Sequence, residues 1–155
     1  MPEYKAPLRE IKFAINEVLN YEQHYETLPG AEEATPELVA AICDEAAKFS
    51  EQIVSPLNPI GDSEGCQWED GVVTAPSGFK QAFAHFIEGG WPGLSQEIAY
   101  GGQGLPSSLN AVFYEMLASS NHSWSMYPSL TWGAIKTISA HASDELKQRY
   151  LPKMV

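Results

Sequence analysis

Basic residues are scarce in this sequence. Nine Lys and Arg stand against 20 Asp and Glu over 155 residues, a formal charge of −11. A phosphate backbone would be repelled by such a chain, which argues against a nucleic-acid partner. Cysteine is nearly absent too: Cys43 and Cys66 are too far apart for a C-x-x-C zinc or redox motif and read as two free thiols. No stretch approaches the roughly 20 apolar residues that span a bilayer. The N-terminal residues show neither the apolar core of a secretion signal nor an Arg-rich, acid-poor transit composition, so a cytoplasmic protein is expected. His24, His85, His122 and His141 include no pair at i, i+3 or i, i+4, which removes the simplest helical metal site. Ser95, Ser119 and Ser120 lack a G-x-S-x-G frame, and neither cysteine has an obvious neighbouring base.

What remains is 44% hydrophobic and 11% aromatic, enough for one domain that buries roughly 70% of its unfolded surface. The acidic excess lies in residues 1–70, with 15 acidic and 4 basic side chains, whereas residues 71–155 hold 5 of each. Periodicity reads helical throughout. Leu8, Ile11, Ile15, Val18 and Leu19 predict a helix within Pro7–Asn20, and residues 21–34, with Leu28-Pro29-Gly30, read as a connector. Thr35-Pro36-Glu37 is a helix start, and the face Leu38, Ile42, Ala46, Phe49, Ile53 and Val54 runs on to Pro56, where Pro56 and Pro59 should end it. Residues 58–75 suit a loop with a small hairpin around Trp68 and Val72.

A third helix over 76–88 should pack by Phe79, Phe83, Phe86 and Ile87, with Gly89-Gly90 as its stop. A fourth is predicted from Ser108 to Ser119. A fifth runs from about Pro128 through Ile138, and Ser143 caps a short last helix with Leu146, Tyr150 and Leu151 inward. The expected fold is all-α: a bundle of about five to six helices with a Gly/Pro-rich middle. It divides into an extension helix and connector (1–34) and a helical domain (35–155).

The Gly102-Gln103-Gly104 loop partly imitates a dinucleotide fingerprint. However, Ser107 replaces the third glycine, no strand precedes it and Pro106 lacks an amide, so a tight turn feeding a helix is the better reading. Glu115 falls roughly 130° from the centre of the apolar face of its helix, which favours a solvated or capping carboxylate over a buried base.

An ordered set of segments carries a resemblance. Trp91-Pro92-Gly93-Leu94, Tyr100-Gly-Gly-Gln-Gly-Leu105, Asn110-Ala-Val-Phe-Tyr-Glu115-Met-Leu-Ala, Met126-Tyr127-Pro128-Ser129-Leu130-Thr131 and Ser143-Asp-Glu-Leu-Lys-Gln-Arg-Tyr150-Leu-Pro-Lys153 together resemble the N-terminal helical domain of flavin-dependent acyl-CoA dehydrogenases. The opening Pro2-Glu3-Tyr4-Lys5-Ala6-Pro7-Leu8-Arg9 resembles the long branch that includes 3-methylmercaptopropionyl-CoA dehydrogenases.

The resemblance implies oxidation of an acyl-CoA thioester to the enoyl-CoA, with FAD as cofactor, an electron-transfer acceptor and a homo-oligomeric enzyme. In that family the catalytic base and most flavin contacts belong to a β-domain and a C-terminal bundle, which would follow Val155. No catalytic or metal residue is therefore assigned here, and the 155 residues alone are expected to be inactive. The implied contribution is a wall of the acyl pocket, with Leu109, Val112 and Phe113 at its floor and Tyr127, Leu130 and Thr131 near the thioester. Ordinary core packing is the alternative for each. A free-standing acidic helical module that recognises a basic protein is the alternative for the whole chain. If the family reading holds, the fourth and fifth helices should expose an apolar surface.

Overall fold

The computed structural model describes residues 3–155; Met1 and Pro2, the latter the first residue of the opening motif, lie outside the described residues. The Thr35 hydroxyl accepts from the Leu38 amide at 3.3 Å, and Pro36 begins helix α3 (Pro36–Lys48). Its buried stripe is Val39, Cys43, Ala46 and Ala47, so Leu38 lies half exposed beside the face predicted for it.

Contrary to expectation, Pro56 and Pro59 do not end the helical path. The chain passes through a π turn (Phe49–Val54) and a 3-10 turn (Ser55–Leu57) into α4 (Asn58–Glu64). Each proline falls at the start of a new segment, where a missing N–H has no intrahelical partner to lose.

The N-terminal extension is more ordered than a helix and a connector. Helix α1 (Leu8–Phe13) loosens into a π turn (Ala14–Val18), and a left-handed Asn20 turns the chain into α2 (Tyr21–Glu26), inside the predicted connector. The Tyr25 ring explains this: it is buried and its hydroxyl is 2.7 Å from Ser108 Oγ. Lys12 Nζ meets Asp44 at 2.6 Å, and the Ala6 amide donates to Glu51 at 2.9 Å, so the extension is tied along α3.

Asp70 and Gly71, both at positive φ, make the two-residue turn of a hairpin, β1 (Gln67–Glu69) and β2 (Val72–Thr74), with Trp68 opposite Val73. Helix α5 (Phe79–Glu88) buries Phe79, Ala82 and Phe86. Ile87, predicted to join them, is turned about 100° from Phe86 and is exposed. Gly90 supplies the left-handed stop.

Two 3-10 turns (Trp91–Gly93 and Ile98–Tyr100) lead to α6 (Ser107–Ser120). Helix α7 (His122–His141) begins six residues before the predicted start, with Pro128 inside it. The reason is Asn121, fully buried and extended: its Oδ1 accepts from the Trp124 amide at 3.0 Å and from Ser123 Oγ at 2.8 Å, while its Nδ2 donates to the Val54 carbonyl at 3.4 Å. Ser143 caps α8 (Asp144–Tyr150), but Leu146 and Tyr150 are exposed and Leu151 alone of the three turns inward.

The fold is mostly helical, with a single two-stranded hairpin among the described residues. It holds more helical segments than the five to six expected, because α2 and α4 form where a connector and a loop were read. Its centre is aromatic. The Phe49 ring lies 6.2 Å from Phe86, 6.0 Å from Phe113 and 5.9 Å from Trp124.

Replacing Asn121 with alanine should destabilise the chain by about 1–3 kcal/mol, since it removes the α7 cap and strands the buried Val54 carbonyl. Thr35→Ala, which removes a cap at an exposed end, should cost about 1 kcal/mol. Chemical denaturation of both variants measures the difference; equal losses would contradict the bridging role of Asn121.

Candidate functional site

Helix α7 carries three of the six candidate residues, Tyr127, Leu130 and Thr131. At about 100° per residue, Trp124, Pro128, Trp132 and Ile135 share one face, and all four are buried. The outer face carries Met126, Tyr127 and Leu130, which are 49%, 42% and 72% exposed. Among the 20 residues of α7 the only Asp, Glu, Lys or Arg is Lys136, an unusual composition for a helix whose outer face meets water. Gly133 lies near its middle at about 1 kcal/mol of helix propensity below alanine, and nothing lies within 4 Å of where its Cβ would be.

Rings of α5 and α7 interlock: Phe79 with Tyr127 at 6.2 Å, Phe83 with Trp124 at 6.4 Å and Phe86 with Trp132 at 6.1 Å. Two clefts flank this seam. One of about 420 Å³ lies between the hairpin and α5, where Val73, Thr74, Phe79, Lys80, Phe83 and Tyr127 line it. The other, of about 400 Å³, is lined by Phe83, Phe86, Ile87, Pro128, Thr131 and Met154, with Lys153 beside it. No Asp or Glu lines either cleft. Partial burial raises the Tyr127 phenol above its ordinary range, and a hydrogen-bonded Cys66 thiol adds to the shift.

The structure therefore places Tyr127 and Leu130 on the exposed side of α7, with Thr131 half-buried at the edge of its buried face. It separates them from Leu109 and Phe113, which are 1% and 0% exposed and closed inside the core; Phe113 is 4.1 Å from the Trp91 ring. Val112 is half-buried beside them. Glu115 is exposed on α6, as its position on the helical wheel implies. Sequence reasoning missed Met126 and Gly133. Extending the α7 period back to Asn121 would have placed both on the outer face. Among the described residues no group of three His, Cys, Asp or Glu side chains could hold a metal, and no helix is long and apolar enough to cross a membrane.

The glycine-rich loop has no amide left over. Gly101 donates to Ile98, Gly102 to Glu97, Gln103 to Gly93, Gly104 to Gln96 and Leu105 to Leu94, all at 2.8–3.2 Å. A Cβ on Gly102 would overlap the Gln96 carbonyl. The glycines thus serve a close internal crossing of backbone, as the tight-turn reading holds.

This helical domain and its uncovered helix match known proteins. The family model for the N-terminal domain of acyl-CoA dehydrogenases matches residues 36–155, and the chain belongs to that family. It is 37% identical, over 98% of its length, to a 3-methylmercaptopropionyl-CoA dehydrogenase of Ruegeria pomeroyi. Two butyryl-CoA dehydrogenases of Syntrophomonas wolfei are 32% and 29% identical over 97% of the chain. The chain spans about a quarter of the length of these relatives: 26%, 25% and 25%.

The glycine-rich loop is a poor seat for a flavin dinucleotide. Its pyrophosphate needs free amides or converging cations, and the glycine loop offers neither. Gly102→Ala should destabilise the chain by about 2 kcal/mol or more, because the clash is with backbone and cannot be relieved by a rotamer change. A melting temperature equal to that of the parent chain would show that the loop does not need the close crossing.

Proposed function

We propose that this chain is the N-terminal domain of a flavin-dependent acyl-CoA dehydrogenase, an enzyme that oxidises the Cα–Cβ bond of an acyl-CoA thioester to the enoyl-CoA. The names of its relatives favour short acyl groups, butyryl or 3-methylmercaptopropionyl. The observation that carries the reading is the outer face of α7: exposed, almost free of charge and built on a rigid aromatic seam. Such a face serves as one wall of an apolar slot closed from the other side.

In this reading Tyr127, Leu130 and Thr131 form the wall, while Leu109, Val112 and Phe113 stand behind it and hold α7 in place. In this reading the base and FAD belong to polypeptide outside residues 1–155. An electron-transfer acceptor, assembly into a homo-oligomer and a cytoplasmic location complete the proposal.

Assay of the gene product that carries this sequence, with butyryl-CoA or 3-methylmercaptopropionyl-CoA and a dye acceptor, should show dye reduction. Residues 1–155 alone should show none. Leu130→Glu should lower kcat/KM about 30-fold or more, the equivalent of about 2 kcal/mol for a carboxylate brought against an apolar chain. The same change should alter the stability of residues 1–155 by no more than about 0.5 kcal/mol, because Leu130 is exposed there. Full activity in Leu130→Glu would remove α7 from the slot.

A further inference from the structure

We propose that the N-terminal extension is a self-association surface, on which α1 of one copy pairs antiparallel with α1 of a second copy about a two-fold axis near Phe13. From the reading above only the homo-oligomer is carried over, and here it acquires a surface.

Charge decides where two copies can meet. Approach through the acidic half is opposed by self-repulsion, since residues 21–70 hold 12 acidic side chains and one basic. Residues 1–20 are different: Glu3, Glu10 and Glu17 are balanced by Lys5, Arg9 and Lys12. Lys5 is spent on Glu3 and Glu51, and Lys12 on Asp44. Among the described residues Arg9 has no carboxylate partner and Glu17 has no cation.

The local backbone lines these two groups up. Helix α1 advances about 100° per residue, whereas the π turn, with the Leu19 amide on the Ala14 carbonyl at 2.9 Å, advances about 80°. Arg9, Phe13 and Glu17 therefore fall within an arc of about 40°, opposite the buried Ile11 and Ile15. An uninterrupted α-helix would spread the same three over about 80°. All three are exposed, Phe13 by 59%, with Val18 beside it at 64% and Leu19 at 53%.

At about 1.5 Å per residue, the cation and the anion stand about 6 Å to either side of the ring. Antiparallel pairing about an axis at Phe13 sets Arg9 of each copy opposite Glu17 of the other, with ring against ring. That is the condition for an isologous interface, one patch complementary to itself. Two charge-assisted contacts then flank an apolar centre. Three exposed apolar side chains make a patch smaller than the roughly 800 Å² per partner of a standard interface, so the contact is reversible and depends on concentration.

The test measures the particle mass of the complete gene product at a concentration where the parent is assembled. Arg9→Glu and Glu17→Arg each put like charges across the axis twice and should halve that mass, and Phe13→Asp should do the same. An equimolar mixture of Arg9→Glu and Glu17→Arg should recover the parent mass, because each reversed charge then faces its opposite in the other variant. No contact within a single chain would be repaired that way. Should either reversal fail to fold, Phe13→Asp carries the mass comparison alone.

Masses unchanged in all three variants overturn the proposal. A loss in both reversals that mixing does not repair also overturns it, since Arg9 and Glu17 would then have partners inside one chain or on a different protein. A monomeric parent removes this surface and the homo-oligomer together, while oxidation of acyl-CoA by the same monomer would leave the dehydrogenase reading standing.

Discussion

The aromatic cluster around Phe49 is the contact on which the rest of the structure depends. Phe49 sits where α3 loosens into its π turn and meets rings from three other helices: Phe86 of α5, Phe113 of α6 and Trp124 of α7. Trp124 is fully buried, and its indole N–H donates to the Phe79 carbonyl at 3.3 Å. An aromatic side chain removes about 150–250 Å² from water, worth at most about 4–6 kcal/mol before entropy costs. Burial of that size fixes the rotation of α7 about its axis. Once Trp124, Trp132 and Ile135 point inward, Met126, Leu130 and Gly133 have no choice but to face out.

The proposed function follows from that rotation. A wall for an apolar ligand needs side chains whose positions do not depend on the ligand, and α7 is held along its length by ring contacts to α5 and by Asn121 at its start. The acidic N-terminal half is spent elsewhere. Glu51 and Asp44 hold the extension through Lys5, Ala6 and Lys12, and the remaining carboxylates are largely solvated. A domain of this charge is a poor host for the phosphates of coenzyme A or of a dinucleotide.

Much of the helical pattern was legible because it rests on local rules. Thr35-Pro36 and Ser143 cap the helices they were expected to cap, and Asp70-Gly71 turns the hairpin. The departures come from tertiary contacts that no local rule contains. Tyr25 recruits the connector into α2 through Ser108, and Asn121 starts α7 early by reaching Val54, 67 residues away. Pro56 and Pro59 misled because they were read as terminators, whereas they open segments; Pro128 misled because it was read as a helix start, whereas it sits within a helix already held by packing. For the candidate site, Tyr127, Leu130 and Thr131 were named from a resemblance, and which of them face outward follows only from the rotation of α7.

The central claim is that the uncharged outer face of α7 is covered by substrate. A crystal structure of the complete gene product with a non-reactive acyl-CoA analogue tests it most directly. The account predicts acyl carbons within van der Waals contact, about 4 Å, of Leu130. An acyl chain bound elsewhere, with α7 facing solvent or sealed under another protein segment, would contradict it.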